Sequence, residues 1–222
     1  MKIARLEFNP IQENTYILWD ETQQGIIVDA GNSTPQENAL LDNFISKHDI
    51  HPVLAVNTHG HFDHTLGVAY VKEKYGVKFA LSHKDAFLLD NARMSADIFG
   101  VKVGAMPSID IDLDTTPEIR FGTTTLRVIP TPGHTPGHVA LFEPQSEILL
   151  TGDTLFKGSI GRTDLPGGDY SWIMQSIMEQ IITLGDTVKV YPGHGPETTI
   201  GNEVLYNPFV VEVLNEQVDY KA

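Results

Sequence analysis

The sequence predicts an α/β sandwich, with sheets inside and helices on the outer faces. Short segments with strand character recur along the chain, and segments with helical spacing alternate with them. The 19 glycines and 13 prolines are spread over the 222 residues, as expected for many short elements joined by tight turns. Because the sequence contains no internal repeat, low-complexity tract or long linker, we expect residues 1–222 to form one domain.

The first half of the chain alternates between the two kinds of element. Strands are predicted where β-branched, aromatic or alternating apolar residues cluster, over 2–8, 15–19, 26–29, 53–57 and 77–81. Apolar residues at helical spacing predict helices over 35–47, 65–75 and 84–93, with Ser33 or Thr34 capping the first. Residues 91–107 form a long segment, either a lid over a site or a helix extension packed on the core or on a second subunit.

Strands dominate the second half. They are predicted over 118–121, 124–129, 138–142, 148–150 and 187–191. Residues 169–184 have the apolar spacing of an amphipathic helix, with Asp169 as its cap. Short terminal helices are predicted over 203–206 and 210–218.

The amino-acid composition argues against several classes of function. The chain carries 15 basic and 29 acidic residues, a net charge of -14, which disfavours binding to nucleic acid or to an anionic membrane. It contains no cysteine, which excludes disulfides, thiolate zinc sites, cysteine nucleophiles and iron–sulfur clusters. The N-terminus lacks the basic and apolar regions of a signal peptide, and no apolar run is long enough to span a membrane. We therefore expect a cytoplasmic protein.

A cluster of metal-binding residue types follows the strand predicted at 53–57. It is the run His59, Gly60, His61, Phe62, Asp63 and His64. His59 and His61 are two residues apart and project to the same side of an extended segment, whereas Asp63 and His64 lie at the start of the next helix. Imidazole and carboxylate donors together favour zinc, iron or manganese over magnesium or calcium. This one run has donors enough to serve two neighbouring metal ions.

Three further candidate ligands follow other apolar strands. They are His134 in TPGHTPGH, Asp153 in TGDT and His194 in PGHG. Ligands at the ends of several strands meet at one rim of an α/β scaffold. His138, four residues after His134, either orients a ligand or is a packed strand histidine. We expect His48 and His51 at the surface, and a capping or surface role for His83.

The whole set of candidate ligands resembles the seven-ligand pattern of the metallo-β-lactamase superfamily. The resemblance covers essentially the whole chain and implies a four-layer αββα sandwich with two mostly antiparallel central sheets. Segments 152–156 (GDTLF), 161–164 (GRTD), 167–169 (GGD) and 195–199 (GPETT) resemble the glyoxalase II-like subgroup. That subgroup implies one metal held by His59, His61 and His134, a second held by Asp63, His64 and His194, and Asp153 as the bridge between them.

The resemblance also implies the chemistry of a binuclear metallo-hydrolase. A hydroxide between two divalent metals, with zinc favoured over iron or manganese, is a strong nucleophile at neutral pH. We expect a small-molecule thioester of the S-lactoylglutathione type as the substrate, because a thiolate leaves without a general acid, and Asp63 would handle the proton of the nucleophile. Arg162 is the candidate substrate-binding residue, or else a loop-fixing partner of Asp164 or Asp169. Only 28 residues follow His194, so we expect this chain to lack the C-terminal glutathione-binding domain of glyoxalase II.

A mononuclear iron persulfide dioxygenase is the main alternative. It resembles the same subgroup and would use His59, His134 and Asp153 as an open facial triad. A β-lactamase is disfavoured because no export signal is present and because Asp153 stands where many such enzymes carry cysteine. A nuclease is disfavoured by the negative charge and by the absence of an inserted RNA-binding domain, and an inert metal-binding module by the open ligand set. The oligomeric state is left open.

Overall fold

A computed structural model describes residues 1–101 and 103–219, and within that range two six-stranded sheets pack face to face. The first sheet contains β1 (Lys2–Phe8), β2 (Glu13–Trp19), β3 (Gln24–Val28), β4 (His51–Val56), β5 (Lys78–Leu81) and β6 (Ile111–Asp112). The second contains β7 (Glu118–Phe121), β8 (Thr124–Pro130), β9 (Val139–Glu143) and β10 (Ile148–Gly152), and, after a hairpin of β11 (Leu155–Phe156) and β12 (Ser159–Ile160), also β13 (Lys189–Pro192) and β14 (Thr198–Thr199).

The helices follow the strands closely along the chain. They are α1 (Pro35–Lys47), α2 (Phe62–Thr65), α3 (Val68–Tyr75), α4 (Ala86–Ile98), α5 (Tyr170–Gln175), α6 (Ile200–Tyr206) and α7 (Pro208–Asp219). A 3₁₀ turn over His83–Asp85 precedes α4, and α5 continues as a wider π-helical stretch over Ser176–Ile181 and a 3₁₀ turn over Ile182–Leu184. None of the described helices has the length and apolar character needed to cross a bilayer.

Strand direction differs between the two sheets. In the first sheet β1, β2 and β3 are antiparallel neighbours, whereas β3, β4, β5 and β6 run parallel to one another. In the second sheet neighbouring strands are antiparallel except for the parallel pair β10 and β13. The expectation of two mostly antiparallel sheets is therefore wrong for the first sheet, which is mixed because α1 and α3 return the chain over its outer face between parallel strands.

Alternating side chains divide the molecule into layers. On β2, Leu18 packs between the sheets with residues of the second sheet such as Leu126 and Leu141. Its neighbour Ile17 points the other way and packs with Leu41 of α1. The outer face of the second sheet is covered in the same manner by the apolar side of α5 and of the turns that follow it. This arrangement confirms the predicted four-layer αββα sandwich.

Several element boundaries differ from those predicted. The helix expected over 65–75 is two helices, and the first of them begins earlier, at Phe62. Asp169 caps α5 as predicted, since its side chain accepts a hydrogen bond from the backbone N–H of Trp172. Within segment 91–107, α4 extends to residue 98 and packs Ala92 and Ala96 against Phe62. The segment thus begins as a packed helix extension, and Lys102 lies outside the described residues.

Candidate metal centre

Strand direction brings the candidate ligands to one edge of the sandwich. Because β9 is antiparallel to both of its neighbours, β8 and β10 run the same way, and β13 is parallel to β10. Their carboxyl ends therefore lie at the same edge, followed in turn by His134, Asp153 and His194. The loop after β4 in the other sheet carries the run that begins at His59 to the same place.

The first group of side chains consists of His59, His61 and His134, whose donor atoms all lie within 4.8 Å of one another. His61 Nδ1 is 2.9 Å from His134 Nε2. His59 is fully buried, and its Nε2 has no hydrogen-bond partner among the described residues. Two ring nitrogens this close, with a third orphaned beside them, indicate a cation site.

The second group consists of Asp63, His64 and His194, with donor atoms again within 4.8 Å. His64 Nε2 lies 3.3 Å from His194 Nε2. Asp63 Oδ2 lies 3.3 Å from His194 Nε2 and 3.7 Å from His64 Nε2. Asp63 and His64 are buried, and both lie in the first turn of α2, which therefore aims two neighbouring donors at one point.

Asp153 lies between the two groups. Its Oδ1 is 3.5 Å from His64 Nε2, and its Oδ2 is 3.5 Å from His134 Nε2 and 3.6 Å from His194 Nε2. Asp153 Oδ1 is buried without a hydrogen-bond partner among the described residues. One carboxylate thus faces nitrogen atoms of both groups, as a bridging ligand must.

Main-chain contacts orient the rings. His134 Nδ1 lies 2.8 Å from the carbonyl oxygen of Arg162, and His194 Nδ1 lies 3.2 Å from that of Gln12. A carbonyl oxygen only accepts, so each Nδ1 carries the proton, and each Nε2 presents a free lone pair to the site.

Asp29 was not anticipated as part of this centre. It forms a third possible donor group with His59 and His64, and its Oδ2 lies 3.2 Å from His64 Nδ1. Its two oxygens already accept hydrogen bonds at 2.7 Å from the N–H and the hydroxyl of Thr58. We therefore assign Asp29 to orienting His64 from behind.

Glu13 is a second buried acid that the sequence did not single out. It is fully buried at the start of β2, and its Oε1 lies 3.9 Å from His64 Nδ1. Burial raises the pKa of Glu13 well above its ordinary value, against the opposing effect of His64. Nothing in the local sequence marks this residue, because its burial results from packing β2 against the loops that carry the ligands.

Asp85 joins the two ligand-bearing loops. Its Oδ2 accepts hydrogen bonds from the Gly60 N–H at 3.0 Å and the Thr135 hydroxyl at 2.7 Å, and its Oδ1 accepts from the Gly137 N–H at 2.7 Å. A Cβ atom on Gly137 would lie only 2.7 Å from Asp85 Oδ1, so the close approach requires glycine. The sequence places Asp85 beside Lys84 and gives no signal of this role.

His138 combines the two roles left open for it. Its ring is buried before β9, and its Nε2 accepts a hydrogen bond from the backbone N–H of Asp153 at 3.0 Å. Its Nδ1 lies 2.8 Å from Thr131 Oγ1, which receives the remaining ring proton. His138 is thus a packed histidine that also fixes the Asp153 loop.

The remaining candidates lie at the rim or away from the centre. Arg162 lies at the rim and binds Asp164 through two hydrogen bonds of 2.7 and 2.8 Å, the loop-fixing pair that was one of its two predicted roles. His83 is exposed beside Asp112, as expected. His51 is also exposed, but His48 is half-buried because its ring packs against Phe44, with centroids 4.4 Å apart.

The charges of the site favour a bound cation. Burial and the neighbouring His134 lower the pKa of His61 to about 4, so its ring is neutral at pH 7. Burial alone would also lower the pKa of His64, but Asp153 and Asp63 outweigh it and raise that pKa well above its ordinary value. Although burial opposes ionisation of Asp153, His64 and His134 hold its pKa well below the ordinary range. The ionised carboxylates therefore draw positive charge to the site, as a proton on His64 or as a bound cation in its place.

The donor spacing fits transition-metal coordination. A tetrahedral zinc ion with bonds of about 2.0–2.1 Å keeps its donors roughly 3.3 Å apart. The closest donor pairs within the two groups lie 2.9 and 3.3 Å apart. Together with the orphaned atoms of His59 and Asp153, this spacing shows that the residues present fit two divalent ions with nitrogen and oxygen ligands.

A cavity of about 640 Å³ opens above these side chains. Donors of both groups line its floor, and Arg162 is among the residues of its wall. A substrate of ordinary metabolite size therefore has direct access to the candidate ligands.

Comparisons of the sequence and of the structure with known proteins lead to the same protein family. The family model of the metallo-beta-lactamase superfamily matches residues 8–194. A hydroxyacylglutathione hydrolase, GloC, of Haemophilus influenzae is 34% identical over 217 residues, which cover 95% of this chain and 98% of that protein. The crystal structure of the BLEG-1 B3 metallo-beta-lactamase is 34% identical with a TM-score of 0.87 and covers 94% of this chain and 99% of its own. TTHA1623, solved in a di-iron-bound form, is 31% identical with a TM-score of 0.81, covering 93% and 99%.

Proposed function

The chain belongs to the metallo-β-lactamase superfamily, and we propose that it is a binuclear metallo-hydrolase that cleaves thioesters of the S-lactoylglutathione type. The observation that carries the proposal is the position of Asp153, whose two oxygens face nitrogen atoms of both histidine groups. A carboxylate that faces both groups in this way is suited to bridging two ions.

The two ions would be held by separate sets of ligands. His59, His61 and His134 would bind the first, Asp63, His64 and His194 the second, and Asp153 both. When bound, two divalent ions, zinc in the first instance and iron or manganese as alternatives, supply Lewis acidity that lowers the pKa of water and polarises a carbonyl group.

The side chains of this protein would contribute orientation and proton transfer. Burial alone would raise the pKa of Asp63, but its histidine neighbours outweigh that effect and lower it. The carboxylate is therefore ionised at neutral pH, and its oxygens are suited to accept the proton of the attacking water. His134 and His194, each fixed through Nδ1–H, would hold their Nε2 lone pairs in place without reorganising during the reaction.

Two considerations support a thioester as the substrate. The similar protein of Haemophilus influenzae is named a hydroxyacylglutathione hydrolase, and this chain matches it over nearly its full length. A thiolate is also a good leaving group, so the site needs no separate acid to protonate it. Arg162 at the cavity rim would bind a carboxylate of the substrate in exchange for Asp164.

A β-lactam is the second candidate substrate, because a similar structure is named a B3 metallo-beta-lactamase. Both reactions need a nucleophile at a carbonyl carbon, so they differ in the leaving group and in the shape of the cavity wall rather than in the ligands. The same purified protein can therefore be assayed with both classes of substrate.

The test begins with the metal content of protein purified without added metal, measured by elemental mass spectrometry. We expect close to two equivalents of zinc, or of mixed zinc, iron and manganese, and turnover of S-lactoylglutathione in a thioester panel run beside a chromogenic cephalosporin. Absence of turnover of every thioester by the two-metal protein would overturn the proposal. One equivalent of iron, with oxygen uptake on glutathione persulfide, would replace it with the dioxygenase.

Replacing the bridging carboxylate gives the corresponding mutational test. Asp153→Ala should lose metal and reduce kcat/KM by about a hundredfold or more. His83→Ala removes an exposed histidine outside the centre and should change neither quantity. Equal activity of Asp153→Ala and wild type would contradict the bridging role.

A further inference from the structure

One side of the cavity above the metal-binding side chains is an apolar wall formed by Ile11, Phe62 and Phe99. The rings of Phe62 and Phe99 lie 5.5 Å apart at an angle of 31°. Phe62 is 7% exposed and packs on Ala92 and Ala96 of α4, so the wall has a firm base. Phe99 at its upper edge is 53% exposed, a large apolar surface left in water beside a reactive centre.

Elsewhere around its lining, the cavity offers little attraction to an anionic group of the substrate. Phe156, Ile160 and Leu165 line it together with Arg162, the cation among its described lining residues. The Nε and Nη2 groups of its guanidinium already bind Asp164, and the protein carries a net charge of -14. An anionic substrate group therefore meets a cation whose charge Asp164 already offsets, and it approaches against the net negative charge of the protein.

We propose that the wall of Ile11, Phe62 and Phe99 is a subsite for an apolar hydrocarbon group next to the scissile bond of the substrate. The substrates preferred by this protein are accordingly thioesters with a hydrocarbon chain of several carbons, ahead of the small hydroxylated lactoyl ester. This inference rests on the proposed thioesterase function and narrows its substrate class. The hydrocarbon belongs either to the acyl half or to the thiol half of the ester, and the experiment separates these sources.

The kinetic test varies one half of the ester at a time. One series carries acyl chains of increasing length on N-acetylcysteamine, and the other carries an acetyl group on alkanethiols of increasing length. Each methylene that reaches the wall should raise kcat/KM about fourfold, from the free energy of burying one CH₂ group. We expect this increase in one of the two series, and that series identifies the half of the substrate that lies on the wall.

Variants of Phe99 connect the chain-length effect to the wall. Phe99→Ala should weaken the increase of kcat/KM with chain length. Phe99→Leu, which keeps an apolar side chain there, should retain most of that increase. Phe99 is half exposed, so neither change opens a cavity in the core. Tyr206→Ala removes a still more exposed aromatic ring, on α6 and outside the cavity lining, and should leave the increase unchanged.

Binding of neutral amides tests the wall without catalysis. In saturation-transfer NMR on the purified protein, hexanamide should give a stronger signal than acetamide, and Phe99→Ala should reduce the difference while Tyr206→Ala should not. If hexanamide binds in this way but no thioester is hydrolysed, the proposed function fails and the subsite stands. If thioesters are cleaved with no dependence on chain length, or with a dependence that Phe99→Ala leaves intact, the subsite is overturned while the hydrolase stands.

Discussion

Asp85 shows how one buried carboxylate can determine the geometry of a metal site without touching the metal. Its hydrogen bonds go to Gly60, which lies between His59 and His61, and to Thr135, which follows His134. All three proposed ligands of the first metal therefore sit beside groups that Asp85 holds. Among the described residues, those adjacent to Asp63, His64 and His194 form no hydrogen bond with the Asp85 side chain, so the two sites should respond differently to its loss.

We expect Asp85→Asn to weaken the first metal site selectively. The amide group of asparagine would face at least one of the three donors that the carboxylate accepts, which leaves that donor unpaired and costs about 1–3 kcal/mol of stability. Affinity for the first metal should fall about ten- to a hundredfold, as for other groups that orient ligands. Competitive titration with a chromophoric chelator should resolve one weakened and one unchanged site.

Asp90→Asn is the matched control, because it makes the same chemical change at an exposed position of α4. Equal weakening of both sites in Asp85→Asn would indicate general destabilisation instead of positioning. Unchanged affinity at both sites would show that the loops hold their geometry without Asp85.

At the scale of single elements, hydrogen bonds at the N-terminus of α1 connect its helix cap to the metal centre. Thr34 and Glu37 form a capping box, in which each side chain accepts a hydrogen bond from the other's backbone N–H. Glu37 also accepts from the Asn9 N–H at 2.8 Å, and Asn9 Nδ2 donates to the carbonyl oxygen of Asp63 at 2.9 Å. The start of α1 therefore fastens the turn between β1 and β2, which in turn supports α2.

Because Glu37 both caps α1 and binds Asn9, its loss should lower the free energy of unfolding more than the loss of the Thr34 side chain. Thr34→Ala loses one cap and should lower the free energy of unfolding by about 1 kcal/mol. Glu37→Ala loses its hydrogen bonds to the backbone N–H groups of Asn9, Ser33 and Thr34 and should cost about 2 kcal/mol or more. Urea denaturation measures both, with exposed Glu73→Ala of α3 as a control near zero. Equal costs for Thr34→Ala and Glu37→Ala would show that the contacts of Glu37 with Asn9 and Ser33 add nothing.

The elements also show which features could be predicted from the sequence. The strands and α1 were predictable because alternation, β-branching and the Thr34 cap are local properties. The ligand residues were recognisable as polar types following apolar strands. The break between α2 and α3 was missed, although Gly67 separates them where a Cβ atom would lie 1.9 Å from Asn32 Oδ1. Burial of Asp85 was equally unforeseeable, since it depends on residues fifty positions away.

At the scale of the whole molecule, the two sheets are also joined at the edge opposite the metal centre. Asp20, buried after β2, accepts hydrogen bonds from the Thr123 N–H at 2.6 Å in the turn between β7 and β8, and from the Thr22 N–H at 3.0 Å. Burial opposes ionisation of Asp20, but the hydrogen bonds from Thr22 and Thr123 outweigh it and lower its pKa to about 2.

This shift predicts part of the acid sensitivity of the fold. A carboxyl whose pKa is lower in the folded state stabilises the protein above its unfolded pKa, and that stability is lost as the pH falls toward 2. Asp20→Asn should therefore be less stable than wild type at pH 7, with a smaller further loss between pH 4 and pH 2. Chemical denaturation across that range measures it, and parallel curves for Asp20→Asn and wild type would contradict the assignment. Asp90→Asn should follow wild type throughout.

At neutral pH, metal binding should contribute more to the stability of the fold than the ionisation of Asp20 does. The buried carboxylates of Asp63 and Asp153 lie together within the candidate ligand set, and a cation that binds only the folded state relieves their repulsion. At a hundredfold excess over Kd a bound ion contributes about 2.7 kcal/mol, or roughly 5–10 °C in Tm for a chain of this size. We expect a chelator to lower Tm by at least that amount, zinc to restore it, and magnesium, which prefers all-oxygen sites, to fail. The Tm of Asp153→Ala should change less on addition of chelator or of zinc. If chelation leaves the Tm of the metal-loaded wild type unchanged, metal binding does not stabilise the fold.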